Sequence, residues 1–371
     1  MADIEMTLYW YFTKKFASAF IRVFLIIGLL IFFVDTMENI RALSSSGITF
    51  PKALALASTR SPSFIREAMP IIVMLAGLTF CVGLARSNEF IVSRAAGVSA
   101  LKGLTFPMST AFLIGLVSIL FLNPLVATFS THYDTLKDKY LGREPKAIVV
   151  NDDGFWLRQK NETGHIVITA SQANQNGTSL RDVTMIEFNE DKNVVKRIAA
   201  ATATLSKDEW VLIRTKVWDL SNTTGNPEAS SRLESVIRVP TTITSDQILE
   251  GYQKPETVVI WDLPKFVRSM DAAGFSTLQH RVHLQMELAR PILFAAMLII
   301  GAVFTLQNAR LGNLGVSVLM ALLCGFSLHF LQNLARTLGE AGEIPIFFAA
   351  WAPPIAAFLA AIALFLHLED G

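Results

Sequence analysis

Six long apolar stretches, three on either side of a polar block, constrain this chain more than any other feature of its sequence. A hydrocarbon layer about 30 Å thick takes roughly 20 apolar residues of helix to cross. The stretches Ala17–Val34, Ile65–Leu84, Leu104–Val126, Pro291–Leu306, Leu314–Leu334 and Ile346–Leu366 meet or approach that length. The fourth needs Leu284–Arg290 to complete it, so its outer end carries charge. The pattern predicts six membrane helices and one folded unit on a single side of the bilayer. Residues 1–136 would hold spans one to three, 137–262 the inserted unit, and 263–371 a linker helix and spans four to six.

Composition agrees. The chain is 52% hydrophobic and 17% charged, where a soluble chain carries about a quarter charged residues. A net charge of +1 leaves no nucleic-acid footprint. Cys81 and Cys324 both lie in apolar stretches, so the inserted unit is not disulfide-stapled. The first stretch is full length and lacks a small-residue cleavage site, so it is expected to remain as an anchor. Lys14, Lys15 and Arg22 around span one, Arg86, Arg94 and Lys102 between spans two and three, and Arg310 between four and five mark those segments as cytoplasmic. The loop Gly339–Pro345 on the other side is acidic, although Arg41, Lys52, Arg60 and Arg66 also fall on that side. Both termini are therefore expected in the cytoplasm and the inserted unit outside.

The polar block carries strand-like runs at Ala147–Val150, Gly154–Arg158, His165–Ala170, Val183–Asn189, Val194–Leu205, Trp210–Leu220 and Leu233–Ile243. Turn residues separate them, as in Asn151-Asp-Asp-Gly154 and Asn174–Gly177. Short strands at this spacing predict an antiparallel sandwich or a barrel-like jelly roll. Their alternation is loose: Val194-Val195 and Ile198-Ala-Ala-Ala201 put apolar residues side by side. That fits a packed core, or an inner face lined for an apolar ligand.

Two loops carry local signals. Pro62 sets an expected boundary before span two, and Pro70 falls about one turn inside it, where neighbours must satisfy the carbonyl it frees. Between spans two and three, Ser87 suits an N-cap, Glu89 the first helical turn and Gly97 a C-terminal stop. About ten helical residues follow, some 15 Å long, too few and too charged to span. Phe90, Ile91 and Val92 beside Glu89 and Arg94 suit docking onto a partner, whereas a plain solvated connector has no need of them.

Several chemistries are missing from the sequence. There is no Walker A run, no G-x-S-x-G and no H-E-x-x-H. His280 and His283 stand three apart with no third ligand, so no metal is expected. The spans hold no chain of carboxylates of the kind a proton-driven pump uses. Arg22, Arg66, Glu67, Glu287, Arg290 and Arg336 all fall near span ends, where long side chains snorkel to the interface. Arg66 and Arg290 could also meet anionic headgroups there.

Phe33-Val-Asp35 closes span one, Pro70 sits in span two, and Asn123-Pro124 lies near the end of span three. With the loop run Arg86-Ser-Asn-Glu-Phe-Ile-Val-Ser-Arg-Ala-Ala-Gly97, the strand Gly154-Phe-Trp-Leu-Arg158, and the tail Gly342-Glu-Ile-Pro345 followed by Ala350-Trp-Ala-Pro353, the chain resembles the lipopolysaccharide export permease family LptF/LptG over nearly its whole length. The tail and Gly154-Phe-Trp are closer to the LptG branch than to LptF. The resemblance implies six transmembrane helices in the inner membrane of a Gram-negative cell, with an all-β periplasmic jelly-roll domain between helices three and four. It implies an LptF–LptG heterodimer carrying two copies of the cytoplasmic ATPase LptB, with LptC as a further partner. Such a complex lifts lipopolysaccharide from the inner membrane and passes its acyl chains to the jelly rolls, for outer-membrane biogenesis. ATP would be used by LptB, so this chain is expected to be non-catalytic and to need no cofactor.

The resemblance makes residues 87–97 a coupling helix, with Ser87, Glu89, Phe90, Ile91, Arg94 and Gly97 at the ATPase dock and Glu89 in contact with it. Candidates for contact with lipopolysaccharide are Asp35, Arg41, Arg66, Lys137, Lys139 and Arg290. The chain departs from the family here: Thr-Met-Glu-Asn-Ile follows Asp35, and Thr131, Tyr133 and Asp134 stand after span three, where cations are common. The remaining alternatives are the LptF branch and a membrane-anchored β-domain scaffold or receptor that transports nothing.

Overall fold

The computed structural model describes residues 2–42, 49–89, 92–93, 99–141, 148–151, 154–161, 164–174, 177–189, 193–221, 227–241, 254–272, 276–308 and 314–370. The chain divides into two compact units, one formed by Met1–Arg143 with Arg281–Gly371 and the other by Glu144–His280.

The first unit is built from α1 (Ala2–Ala42), α2 (Phe50–Arg86), α3 (Ala100–Val117), a π-helical turn (Ser118–Leu122), α4 (Asn123–Leu141), α6 (Leu278–Asn308), α7 (Leu314–Glu340) and α8 (Ile346–Asp370). Six helical segments among the described residues are long and apolar enough to cross a membrane. With 41 and 37 residues, α1 and α2 reach roughly 60 and 55 Å at about 1.5 Å per residue. They outrun the hydrocarbon layer, and the apolar stretches are only their middles.

The expected boundary at Pro62 is overturned. The helix starts at Phe50, with Pro51 in its first turn, and runs through Pro62 and Pro70 to Arg86. Proline in the first turn gives up no helical bond. Pro62 gives up one, while Ala53, Leu56, Ala57, Thr59 and Ser61 bury around it and hold the helix. Span three meets Pro124 differently. The Asn123 N–H donates to Ser118 O, five residues back, and this widened turn lets the helix pass a residue that has no N–H.

Spans two and four form the centre, and glycine lets their backbones touch. A Cβ on Gly301 would lie 2.6 Å from Met74 O, and one on Gly77 would lie 3.0 Å from Leu298 O. A Cβ on Gly115 of span three would lie 2.5 Å from Pro291 Cα of span four. Phe12, Phe16 and Phe80 pack edge-to-face against this core from span one and span two.

The second unit is an eight-stranded antiparallel sheet: β1 (Ile148–Asn151), β2 (Gly154–Asn161), β3 (Gly164–Ala170), β4 (Gln172–Ala173), β5 (Ser179–Asn189), β6 (Val194–Ser206), β7 (Glu209–Asp219) and β8 (Arg232–Pro240). The strands are neighbours in chain order, with β4 pairing β5 off the main path. Four strands separate β2 from β8 in that order, a gap of roughly 24 Å if the sheet were flat at about 4.8 Å per strand. Yet Thr241 Oγ1 donates to Gln159 Oε1 at 2.6 Å and Gln159 Nε2 donates to Pro240 O at 3.2 Å. The jelly roll is therefore a single meander folded over on itself, with its apolar face inside.

That inner face changes parity along one row. Leu180, Ala203 and Leu212 are buried in register on one side of it, and Val183, Ala200 and Thr215 on the other. Between them two successive residues per strand turn away from the core: Arg181-Asp182, Ala201-Thr202 and Ile213-Arg214. The left-handed backbone of Asp182 (φ 50°) and Arg214 (φ 55°) makes the switch. This row explains the loose alternation of Ile198-Ala-Ala-Ala201. A left-handed residue with a side chain costs about 1–2 kcal/mol. Arg214→Gly is expected to keep or raise the melting temperature of the sheet, and Arg214→Val to lower it, followed by tryptophan fluorescence.

Two expected boundaries move. Residues 137–141 belong to α4, since helix continues to Leu141. The amphipathic α5 (Leu263–Ala272), expected with the membrane half, packs Phe266 and Met270 into the core of the β unit.

Candidate functional site

Three charged joints tie the helices of the membrane unit together. The first lies where span two ends. Ser87, expected to open the connector helix, instead closes α2, with Oγ bonded to Gly83 O at 2.9 Å. Asn88 turns the chain with a left-handed backbone (φ 57°). Glu89 then meets span one: Lys15 Nζ donates to both its oxygens at 2.7 and 2.8 Å, and Tyr11 Oη donates at 3.3 Å. Burial works to raise the Glu89 carboxyl, but the bonds from Lys15 and Ser87 outweigh it and hold it below the usual carboxylate range. A depressed folded-state value means that the joint contributes stability above about pH 4.5, the ordinary value, and loses it as pH falls through the lowered one. Val92 is exposed and Ser93 buried. Phe90, Ile91, Arg94 and Gly97 lie outside the described residues.

The second joint lies at the opposite ends of spans one to three. Asp35 is buried and pairs with Arg60 of span two, Nη1 to Oδ1 at 3.5 Å. The Arg60 guanidinium lies over the rings of Phe64 and Tyr133, 4.7 and 5.5 Å from their centres. Lys137 Nζ also lies over the Tyr133 ring, 5.6 Å from its centre. Asp35 and Lys137 thus come together through Arg60 and Tyr133; Arg41 and Lys139 are exposed.

The third joint is the deepest. Glu287 of span four is buried, and three cationic or basic groups converge on its Oε1: Arg290 Nη2 at 2.9 Å, Arg66 Nη1 of span two at 3.6 Å and His283 Nε2 at 3.9 Å. A lone buried charge is strongly unfavourable, and a paired one is tolerated. Arg290 Nη1 also donates to the backbone oxygen of Arg66 at 3.1 Å. In a regular helix that oxygen would accept from the N–H four residues on, but residue 70 is a proline. The neighbour that Pro70 requires is a side chain of span four.

Arg66 and Arg290 are thus brought together on Glu287, whereas Asp35 and Lys137 share the Arg60–Tyr133 cluster. In the sequence Glu287 stands out only as a charge near a span end, Lys15 as a cation at the start of span one and Arg60 as a cation between spans one and two. The carbonyl freed by Pro70 was the one signal that a partner had to reach Arg66.

Six spans with a folded-over β unit between the third and fourth, and a short connector after the second, also match a known profile. Among individually curated proteins the chain has no match. The family profile described as lipopolysaccharide export system permease LptF/LptG matches residues 10–367. The chain belongs to that family.

Proposed function

We propose that this chain is the LptG half of a lipopolysaccharide exporter, paired with LptF, driven by two copies of LptB and assisted by LptC. The observation that carries the reading is the family match over residues 10–367. The LptG branch is favoured over LptF by Gly154-Phe-Trp and by the tail from Gly342 to Pro353. The termini and the Glu89 connector then lie in the cytoplasm of a Gram-negative cell and the β unit in the periplasm.

Span one and span five are the least covered by the chain's own atoms, with 6% and 22% of their apolar windows buried, against 78% for span four. They are the faces offered to a second permease half, and the cavity between the halves takes the lipid. ATP-driven closure of the ATPase pair draws the two connectors together and narrows that cavity. Each acyl CH₂ left in water costs about 0.8 kcal/mol, so the lipid needs an unbroken apolar path. The inner face of the β unit, lined by Ile198, Ala200, Ala203 and Leu212, supplies its next section.

Pull-down of the tagged chain tests the assembly: a second permease chain and a P-loop ATPase are expected, and a chain that recovers neither is a scaffold. At the connector, the Glu89 carboxylate is about a quarter exposed and keeps lone pairs beyond those taken by Lys15. Glu89→Arg is expected to abolish recovery of the ATPase while Lys15→Met leaves it. Equal loss in both would assign Glu89 to the span-one joint alone.

A further inference from the structure

We propose that Arg290 and Glu287 are positioning residues that lock span two to span four at Pro70, and that Arg290 is not a headgroup ligand. The bonds of its guanidinium carry the argument. Nη1 donates to the Arg66 oxygen at 3.1 Å and Nη2 to Glu287 Oε1 at 2.9 Å. The first acceptor lacks its usual partner within the helix, because residue 70 has no N–H. The second stands one turn away on the same helix and fixes the plane of the fork. The Arg290 side chain is 15% exposed, so both ends of its fork are committed inward. Arg66 lays its own side chain on the same carboxylate, 3% exposed, which closes the joint from the span-two side.

The joint has a place in the transport cycle, and this part rests on the proposed function. α2 is one helix from Phe50 to Arg86, and proline is where such a helix bends. The direction of its last four turns, and so the position of the Glu89 connector, depends on what holds the helix at residue 70. Arg290 is that hold. It sets how far motion at the connector is passed into span four.

The proposal separates a carbonyl partner from a phosphate partner. Pro70→Ala restores an N–H that satisfies Arg66 O within the helix, so it removes the need for Arg290 without touching lipid. Arg290→Met is expected to lower the melting temperature of the chain in detergent and to reduce ATP-dependent lipopolysaccharide release from reconstituted vesicles roughly tenfold, as for loss of a charge-assisted hydrogen bond. The Pro70→Ala/Arg290→Met double variant keeps Arg66 and Glu287 as a balanced pair but still lacks the 2.9 Å bond from Arg290 to Glu287, so it is expected to melt clearly above Arg290→Met and to recover part of the release. Release of lipid A with and without its phosphates is measured alongside, and the ratio is expected to be the same in wild type and in Arg290→Met. If Arg290→Met fails to fold alone, Arg290→Lys takes its place in the ratio measurement, since lysine keeps the charge but lacks the planar fork that spans the two acceptors. The melting arm needs no transport, so it stands if the proposed function fails. A double variant that stays as unstable as Arg290→Met, or a phosphate preference that disappears when Arg290 is changed, would overturn the proposal.

Discussion

Gly301→Leu is expected to abolish the folded membrane unit. At this position span four lies against the backbone of span two, and even a Cβ would stand 2.6 Å from Met74 O and 2.9 Å from Leu78 N. Neither atom can move without bending a helix. Overpacking a core where side chains can adjust costs about 1–3 kcal/mol, and here the obstacle is main chain on both sides. Gly325→Ala makes a useful contrast. Its added carbon clashes with the Met74 thioether, a flexible group that can swing aside, and meets Met297 Sδ at an ordinary 3.9 Å. Size-exclusion profiles and thermal melts in detergent should show aggregation for Gly301→Leu and a folded, somewhat destabilised chain for Gly325→Ala. A monodisperse Gly301→Leu protein melting with wild type would show that spans two and four are not in contact at this level.

Glu287→Ala should be the most damaging change of a single charge. It strands Arg66 and Arg290 in the helix bundle with no carboxylate between them. Removing one partner of a buried pair costs about 3–5 kcal/mol. Adding Arg66→Met to Glu287→Ala should recover part of the loss, because one of the stranded cations is then gone. Additive losses in the double variant would mean that the two side chains are not coupled. Glu340→Ala, which breaks the more exposed pair with Arg336, should cost far less.

The layout of the fold was legible in the sequence because each of its signals is local. Apolar length gave the spans, and Asn- and Gly-bearing turns such as Asn151–Gly154 and Asn174–Gly177 separated strands that the structure places within a few residues of the expected runs. The parity switch across β5, β6 and β7 was not legible, since Asp182 and Arg214 adopt a backbone usually left to glycine. It surfaced only as loose alternation at Ile198-Ala-Ala-Ala201. Pro62 misled for the opposite reason: its local signal to stop a helix was outweighed by burial of the residues around it.

The charged joints divide in the same way. That Pro70 frees a carbonyl follows from covalent structure, and the sequence showed it. That the donor would be Arg290, 224 residues away from Arg66 along the chain, depends on how spans two and four pack. The same holds for Lys15 meeting Glu89 across 74 residues and for Arg60 meeting Asp35 on the next helix. Single charges near span ends looked alike in sequence, and tertiary structure sorted them into pairs.

Photo-crosslinking along β6 tests most directly whether this chain hands lipid to its β unit. The side chains of Ile198, Ala200 and Ala203 face the interior, and those of Lys196, Arg197 and Thr204 stand outside the apolar core. With the parity switch, the interior pattern is 198, 200 and 203 rather than strict alternation. A crosslinker at each of these three positions should capture lipopolysaccharide in vesicles that contain the assembled complex and ATP, and one at Arg197 or Thr204 should not. Continued ATP-dependent export with no capture at positions 198, 200 or 203 would contradict the account.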